Sequence, residues 1–169
     1  GNVTLSDANG TNITATDITQ IEGDTTGTIT VSNTINIQGT AAEVAAAVDD
    51  VNTFSAAATA QLSNAHNLAQ LKAINNKLSG ALTLGDYTVA LSGSAADIAA
   101  ALAGSFAAAY TGNVTITDAD AGNINATDIT SIATATNGTV TISNNVDING
   151  TAAAVATAAK NVDTFTKAA

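Results

Sequence analysis

The sequence predicts an α/β fold, built as a right-handed solenoid of about six coils of about 27 residues, each with parallel strands and one helix. The main observations are a long internal repeat, regularly spaced helix-cap motifs, and a hydrophobic period that switches between strand-like and helix-like within each coil. Residues 1–54 align without a gap on residues 112–165, and 31 of those 54 positions are identical. A shorter period lies inside, because residues 38–48 resemble residues 92–102.

Helix-cap motifs set the phase of the repeat. In a capping box, a Ser, Thr or Asn side chain accepts from the amide three residues later, and the acid or Gln at that position reaches back to the cap amide. The motifs are Thr14/Asp17, Thr40/Glu43, Asn67/Gln70, Ser94/Asp97 and Asn125/Asp128, with Thr151 as a sixth cap that lacks the acid. Apolar residues four and seven positions after each cap form one stripe, which predicts a short amphipathic helix there.

Alternating residues predict a strand upstream of five of the six caps. The alternating segments are residues 3–5, 29–31, 82–84, 114–116 and 140–142. Even-numbered coils add a second short alternation before the cap, so the larger repeat is a double coil of about 55 residues. The third coil has no large aliphatic residue from Ser55 to Ala60, and we expect a frayed, slipped or partly helical segment there.

Stacking of the coils follows from their small size. A coil holds about five or six large aliphatic residues, worth about 1.5–3 kcal/mol each when buried. Ordering its backbone costs roughly 1–2 kcal/mol per residue, so neighbouring coils must share a core. The predicted coils of this single array, residues 1–169, are residues 1–26, 27–54, 55–79, 80–111, 112–137 and 138–169. The fourth has an insertion near residues 104–110. A β-solenoid with few helices and a compact α/β domain are the alternative folds.

Composition and charge limit the classes of partner. Four lysines against fourteen acidic residues give a formal net charge of −10, which argues against nucleic acid because phosphates require a basic surface. The longest apolar run, residues 98–110, is interrupted by Gly104 and Ser105 and is shorter than the about 20 residues that span a membrane. The absence of cysteine excludes disulfides, thiolate metal sites and thiol nucleophiles.

Several segments resemble a known class of repeat. GTAAEVAAAV, TGTITVSN, ATDIT and LKAINN are similar to the tandem repeats of very large bacterial surface proteins known as beta strand repeat proteins, especially those of marine cyanobacteria. The likeness covers essentially the whole chain and is weakest at residues 55–66. It implies a secreted or surface-displayed structural array, and it supplies no catalytic or ligand-binding residue.

A column of Asp and Asn residues is the best candidate metal site. An Asp or Asn stands seven or eight residues before five of the caps, and we call this set the Asx column: Asp7, Asn33, Asp86, Asp118 and Asn144. Oxygen ligands of this kind suit Ca²⁺, so calcium is the only cofactor that we consider. A stacked ladder of side chains that complete turn hydrogen bonds explains the same column without a metal, and it is the favoured interpretation.

A second column lies on the outer face of the predicted strands. It consists of Thr4, Thr30, Thr83, Thr115 and Thr141, which would stack about 4.8 Å apart. The preference of Thr for strand surfaces is sufficient to explain this column. The more specific hypothesis is an array of hydroxyl groups that faces a glycan, ice or a neighbouring array. The single histidine, His66, has no nucleophile motif around it, and we expect no enzymatic activity.

These observations favour a non-catalytic structural segment of a large extracellular or cell-surface repeat protein, such as a fibre, an adhesin stalk or a coat. The alternatives are a solenoid that binds Ca²⁺, a glycan or ice, and a fibre protein of a phage or similar particle. The expected partners are neighbouring repeats of the same protein. Neither terminal coil carries a polar capping repeat, so we also expect end-to-end self-association.

Overall fold

The computed structural model describes residues 1–167, which contain six helices and thirteen short strands. The helices are α1 Ala15–Asp24, α2 Ala41–Asp50, α3 Leu68–Lys77, α4 Ala95–Leu102, α5 Ala126–Ala135 and α6 Ala152–Asn161. The strands are β1 Val3–Leu5, β2 Asn12–Thr14, β3 Ile29–Val31, β4 Asn36–Gly39, β5 Thr53–Phe54, β6 Thr59–Leu62, β7 Leu82–Thr83, β8 Leu91–Gly93, β9 Val114–Ile116, β10 Asn123–Asn125, β11 Val140–Ile142, β12 Asp147–Asn149 and β13 Thr164–Phe165. The chain is therefore an α/β protein.

All named strand pairs are parallel. The sheets have the orders β1-β3-β5, β2-β4-β6-β7, β13-β11-β9-β8 and β10-β12. Paired residues are 22 to 26 positions apart, as shown by Ala60 with Leu82 and by Val3 with Ile29. Such pairs require a return segment between the strands, and a helix lies in each return.

Each helix begins directly after one of the six predicted cap residues. The full reciprocal capping box forms at Thr40/Glu43 and at Asn67/Gln70. Asn125 is an exception, because its side chain makes no cap hydrogen bond. Its Nδ2 group instead donates to Asp128 Oδ2 at 3.3 Å, so the amide nitrogen occupies the side that a capping oxygen would need.

The contacts divide the chain into two compact units. Unit 1 comprises residues 1–86 and 104–108, and unit 2 comprises residues 87–103 and 109–169, of which 168 and 169 lie outside the described residues. Each unit has its own buried aliphatic core. In unit 1 the core includes Ile18, Ile37, Val44, Leu71 and Ile74, and in unit 2 it includes Leu91, Ile98, Ile116, Ile129 and Ile142.

The strand of the third coil is slipped, which is one of the three outcomes that the sequence predicts for this segment. Residues 55–58 belong to no strand, and the strand is β6, four residues later, where Ala60 and Leu62 are buried. The preceding Thr53–Phe54, assigned by sequence to the second coil, forms β5 beside β3. Because alanine is not distinctive of strands, the register of β6 is defined by its pairing with β4 and with β7.

Double coils join in the same way at two places. We call these places double-coil junctions. At each junction, the earlier double coil contributes the strand before its second helix, and the later double coil contributes its first strand. The junctions are β4 with β6 and β8 with β9. In both, a glycine of the earlier strand is paired with an aliphatic residue of the later one, Gly39 with Leu62 and Gly93 with Ile116.

The insertion in the fourth coil is structured. Phe106 forms a parallel bridge with Leu82 in unit 1, and Tyr110 forms one with Thr136 in unit 2. The Tyr110 side chain is buried, and its hydroxyl donates to the Val89 carbonyl at 2.7 Å. The inserted residues therefore extend existing pairing and contribute a large side chain to the core of unit 2.

Candidate functional site

Three members of the Asx column form hydrogen bonds between neighbouring coils. Asn33 Nδ2 donates to the Asp7 carbonyl at 2.8 Å, and Asn144 Nδ2 donates to the Asp118 carbonyl at 2.8 Å. Asp118 Oδ2 accepts from the Ala95 amide, the first amide of α4, at 2.8 Å. These contacts correspond to the ladder interpretation, in which Asx side chains complete backbone hydrogen bonds.

Asn64 is a column member that the sequence analysis missed. Its Oδ1 accepts from the Ala41 amide, the first amide of α2, at 2.8 Å. Asn64 lies two residues after β6, as Asp118 lies two residues after β9, so the two residues are structural equivalents. The slip of the third strand hid this match, because Ala60, and not Asn64, stands seven residues before the Asn67 cap.

The two acidic residues at the remaining column positions have different surroundings. Asp7 is exposed, and only its backbone carbonyl is engaged by the column. Asp86 lies close enough to His66 for its charge to raise the pKa of the imidazole. In the described part of the chain, no cluster of three or more His, Asp or Glu residues could hold a metal ion.

Amide side chains form a second polar ladder on the β2-β4-β6-β7 sheet of unit 1. Asn36 Nδ2 donates to Asn12 Oδ1 at 2.9 Å, and the Thr59 hydroxyl donates to Asn36 Oδ1 at 3.2 Å. Gln38 Nε2 donates to Gln61 Oε1 at 2.9 Å in the adjacent row. The sequence signal for these ladders is the recurrence of Asn and Gln within the short strands β2, β4 and β6.

The corresponding sheet of unit 2 repeats the amide contact. Asn149 Nδ2 donates to Asn123 Oδ1 at 2.8 Å, although these residues are diagonal in the register rather than directly paired. Ladders of this kind hold neighbouring strands together through their outer side chains as well as through their backbones. The polar outer surface is therefore engaged in contacts between coils.

The predicted threonine column does not form as one row. Thr4 pairs with Thr30, which pairs with Thr53 in unit 1, and Thr115 pairs with Thr141 in unit 2. Thr83 lies in a different sheet, because β7 pairs with β6 and brings Thr83 beside Gln61. The prediction that Thr83 belongs to this row is therefore wrong, because the position of Thr83 depends on the pairing of β7 with the slipped strand β6.

His66 is a buried residue with a perturbed pKa. It is 5% exposed and lies directly before the α3 cap, where the odd-numbered coils one and five have Ile13 and Ile124. Burial lowers the pKa of the imidazole below its usual value, and the nearby Asp86 charge opposes this effect. His66 therefore occupies, in the third coil, a position of the repeat that is apolar in the first and fifth coils.

Two surface carboxyl groups also have perturbed pKa values. The Thr40 amide and then the Thr40 hydroxyl donate to Glu43 and lower its pKa. The Asn145 amide and the Lys167 ammonium group do the same for Asp120. In both cases the ionised group acts as a hydrogen-bond acceptor for a cap or a turn, which is a structural role.

Comparisons with protein-family models, with curated proteins and with solved structures give no match to the chain. Within residues 1–167, none of the helices has the length and apolar character that crossing a membrane would demand. The most regular polar features of the chain are the Asx column and the amide ladders, and both act between coils.

Proposed function

We propose that this chain is a non-catalytic structural segment of an extracellular or cell-surface repeat protein, and that its coils form an α/β solenoid. The observation that carries the proposal is the use of the repeated polar side chains. Asn33, Asn64, Asp118 and Asn144 all bond to backbone groups of a neighbouring coil. The conspicuous periodic residues therefore serve cohesion between coils.

Repetition with nearest-neighbour contacts supports the solenoid part of this proposal. Within each unit, parallel strands recur every 22 to 26 residues with a helix in each return. Neighbouring helices also pack in order, α1 with α2 and α2 with α3 in unit 1, and α4 with α5 and α5 with α6 in unit 2. Arrays of this kind gain stability from each added neighbour and suit a stalk, fibre or coat.

Composition supports the extracellular location. The chain has no cysteine, a formal net charge of −10 and few aromatic residues, which is compatible with a hydrated surface structure. The resemblance to bacterial surface repeats points the same way. A fibre of a phage or similar particle would use the same architecture, and the location of the natural protein distinguishes the two.

Immunolabelling of cells that express the natural protein tests this proposal. An antibody raised against the chain should label intact cells, and mild protease treatment of intact cells should remove the signal. A cytoplasmic marker protein, labelled only after permeabilisation, is the control. Label that appears only in permeabilised cells would contradict the surface location, and label confined to released particles would favour the particle fibre.

A further inference from the structure

Two strands, β1 and β12, are each paired on one side only within residues 1–167. Among the described residues, β1 pairs only with β3, and β12 pairs only with β10. β1 is equivalent to β9 by the internal repeat, and β12 precedes α6 as β8 precedes α4. Within residues 1–167, β1 thus has the position of the later strand of a junction, and β12 has the position of the earlier strand.

We propose that β12 and α6 of one copy bind β1 and α1 of a second copy, and that this contact reproduces the internal double-coil junction. This inference rests on the proposed structural function and specifies its partner. The internal register transfers directly, so Ile148 of one copy should pair with Val3 of the next and Gly150 with Leu5. The contact is heterologous, with a different surface on each copy, and therefore adds copies head to tail.

Apolar exposure at the ends matches what the internal junctions bury. Val114 and Ile116 in β9 are 1% and 0% exposed, whereas their equivalents Val3 and Leu5 in β1 are only half-buried. At the other end, Ile148 is half-buried, while the equivalent Leu91 is 2% exposed. A second copy in the junction register would cover these side chains.

Backbone groups at the ends are also complementary. At the internal junctions, the Ser63 amide donates to the Gly39 carbonyl at 2.9 Å and the Thr117 amide donates to the Gly93 carbonyl at 2.8 Å. The equivalent groups at the ends are the Ser6 amide and the Gly150 carbonyl. Neither has a hydrogen-bond partner within residues 1–167, so a second copy would complete the same bond between them.

The first amide of α6 provides a further complementary group. The first amides of α2 and α4 donate to Asn64 and Asp118 of the following double coil. The equivalent pair at the ends is the Ala152 amide and the Asp7 carboxylate, and the structure of residues 1–167 shows no hydrogen bond for either. An acidic group at a helix N-terminus is also favoured by the helix dipole.

Charges on the end helices are complementary in a position that the first junction already uses. Asp49 of α2 and Lys77 of α3 form an ion pair, with Nζ 3.7 Å from Oδ1. These residues lie nine and ten positions after their caps. In α6 the position of Asp49 is taken by Lys160, and in α1 the position of Lys77 is taken by Asp24. The pair is thus again one acid and one lysine, on the opposite helices. The end surfaces therefore match each other in charge.

Two single substitutions separate the two surfaces. Ser6→Pro removes the amide that should donate to Gly150, and Ala152→Pro removes the amide that should donate to Asp7. Proline is well tolerated at the first position of a helix and on an edge strand, so both variants should fold. Sedimentation velocity from about 1 µM to about 1 mM measures assembly over the range of weak dissociation constants.

The wild-type chain should form oligomers that grow with concentration. Each proline variant alone should bind its own kind about tenfold or more weakly, while an equimolar mixture should form a one-to-one complex and stop there, since only one pair of intact surfaces remains. Strictly monomeric wild type at about 1 mM would overturn the proposal. Growth of either variant into oligomers as large as those of the wild type would do the same, because assembly would then use another surface.

Substitutions of Asp7 provide a matched test that does not rely on proline. Asp7→Asn keeps an acceptor of the kind that Asn64 supplies and should assemble as the wild type does, apart from a small effect of the lost charge. Asp7→Ala should weaken assembly about fivefold, the loss typical of a helix cap. Equal assembly of the Ala and Asn variants would contradict the proposed contact.

Charge exchange at the helix ends adds a second measurement. Lys160→Asp and Asp24→Lys should each weaken assembly about two- to fivefold, and the double variant should recover it. Glu22→Lys in the Lys160→Asp background is the matched control, because it makes the same charge change two residues away and should recover less. Equal recovery would overturn the specific pairing. Surface labelling of cells is independent of these results, so failure of the contact leaves the proposed location intact.

Discussion

The strands β1 and β9 have nearly the same sequence and different surroundings. Both read Val-Thr-aliphatic and lie at equivalent positions of the 111-residue repeat. β9 lies between β8 and β11, and its Val114 is 1% exposed. β1 has only β3 beside it among the described residues, and its Val3 remains half-buried. Burial at these positions is therefore supplied by the neighbouring coil.

This difference shows where the stability of the chain resides. A strand of three residues cannot bury enough surface within its own coil to offset the entropy of ordering it. The free energy that stabilises such a strand therefore comes from its contacts with the neighbouring strands and helices. Substitution of equivalent residues in different coils therefore measures how much the neighbouring coil contributes to stability.

The valine pair should give the largest difference in stability. Val114→Ala removes two methyl groups from a fully enclosed position and should lower the free energy of unfolding by about 2 kcal/mol. Val3→Ala makes the same change at a half-buried position and should cost less than about 1 kcal/mol. Urea denaturation at low protein concentration, where the chain is monomeric, measures both values.

The outward-facing threonines of the same two strands provide the control. Thr4→Ala and Thr115→Ala change the outward residue of each strand and should differ much less between the two sites. Equal losses for Val3→Ala and Val114→Ala would mean that β1 is covered as fully as β9, against the half-burial of Val3.

Local signals in the sequence predicted the helices and most strands of this comparison. Cap residues and the apolar stripe depend on spacings of three to seven residues, and all six helices start where the caps indicate. The aliphatic alternation likewise located β1, β3, β9 and β11. These elements are defined by neighbours in sequence.

Contacts between coils could not be predicted from such local signals in the sequence. The segment Ala60-Gln61-Leu62 lacks β-branched residues, so its strand is defined by its pairing with β4 and β7 and not by its own sequence. That slip hid Asn64 from the Asx column and assigned Thr83 to the wrong row. The orientation of the Asn125 amide depends on Asp128 and has no sequence signature.

A turn with positive φ offers the second comparison. Gly10 has φ 81° and its repeat equivalent Ala121 has φ 59°. A Cβ at Gly10 would meet no atom within 4 Å, so Gly10→Ala should lower stability only through backbone strain, by about 1 kcal/mol. Ala121→Gly should raise stability by less than that, because glycine loses more entropy on folding. Denaturation curves that show stabilisation by Gly10→Ala would contradict this explanation.

Helix caps form the third comparison. The Thr40 hydroxyl accepts from the Glu43 amide within a complete capping box, whereas the Asn125 side chain makes no cap bond. Thr40→Ala should cost about 1 kcal/mol, and Asn125→Ala should cost a few tenths at most. Thermal unfolding followed by circular dichroism measures both. Equal costs would indicate that the Asn125 amide turns to cap α5 in solution.

The buried histidine gives a pH-dependent difference between coils. Because burial lowers the pKa of His66 in the folded chain, the unfolded chain binds a proton first as the pH falls below about 6.5. Stability should therefore be full above that pH and should decrease as the pH falls through the lowered folded value. His66→Ile, which restores the residue found at Ile13 and Ile124, should remove this decrease. A decrease of the same size in the variant would assign it to other groups.

Calcium should have the smallest effect on stability, because of the surroundings of Asp118, Asn144 and Asp7 in the Asx column. The Asn144 amide group donates to the Asp118 carbonyl, and the Asp118 carboxylate accepts from the Ala95 amide, so both kinds of oxygen are already used by the protein. At Asp7 the carboxylate is exposed, with no second carboxylate in a cluster beside it among residues 1–167. Addition of about 10 mM Ca²⁺, well above the dissociation constants of weak extracellular sites, should leave the melting temperature unchanged relative to EDTA. A rise that EDTA reverses and that Asp118→Asn abolishes would instead make the column a calcium site, since a ligand that binds only the folded chain must stabilise it.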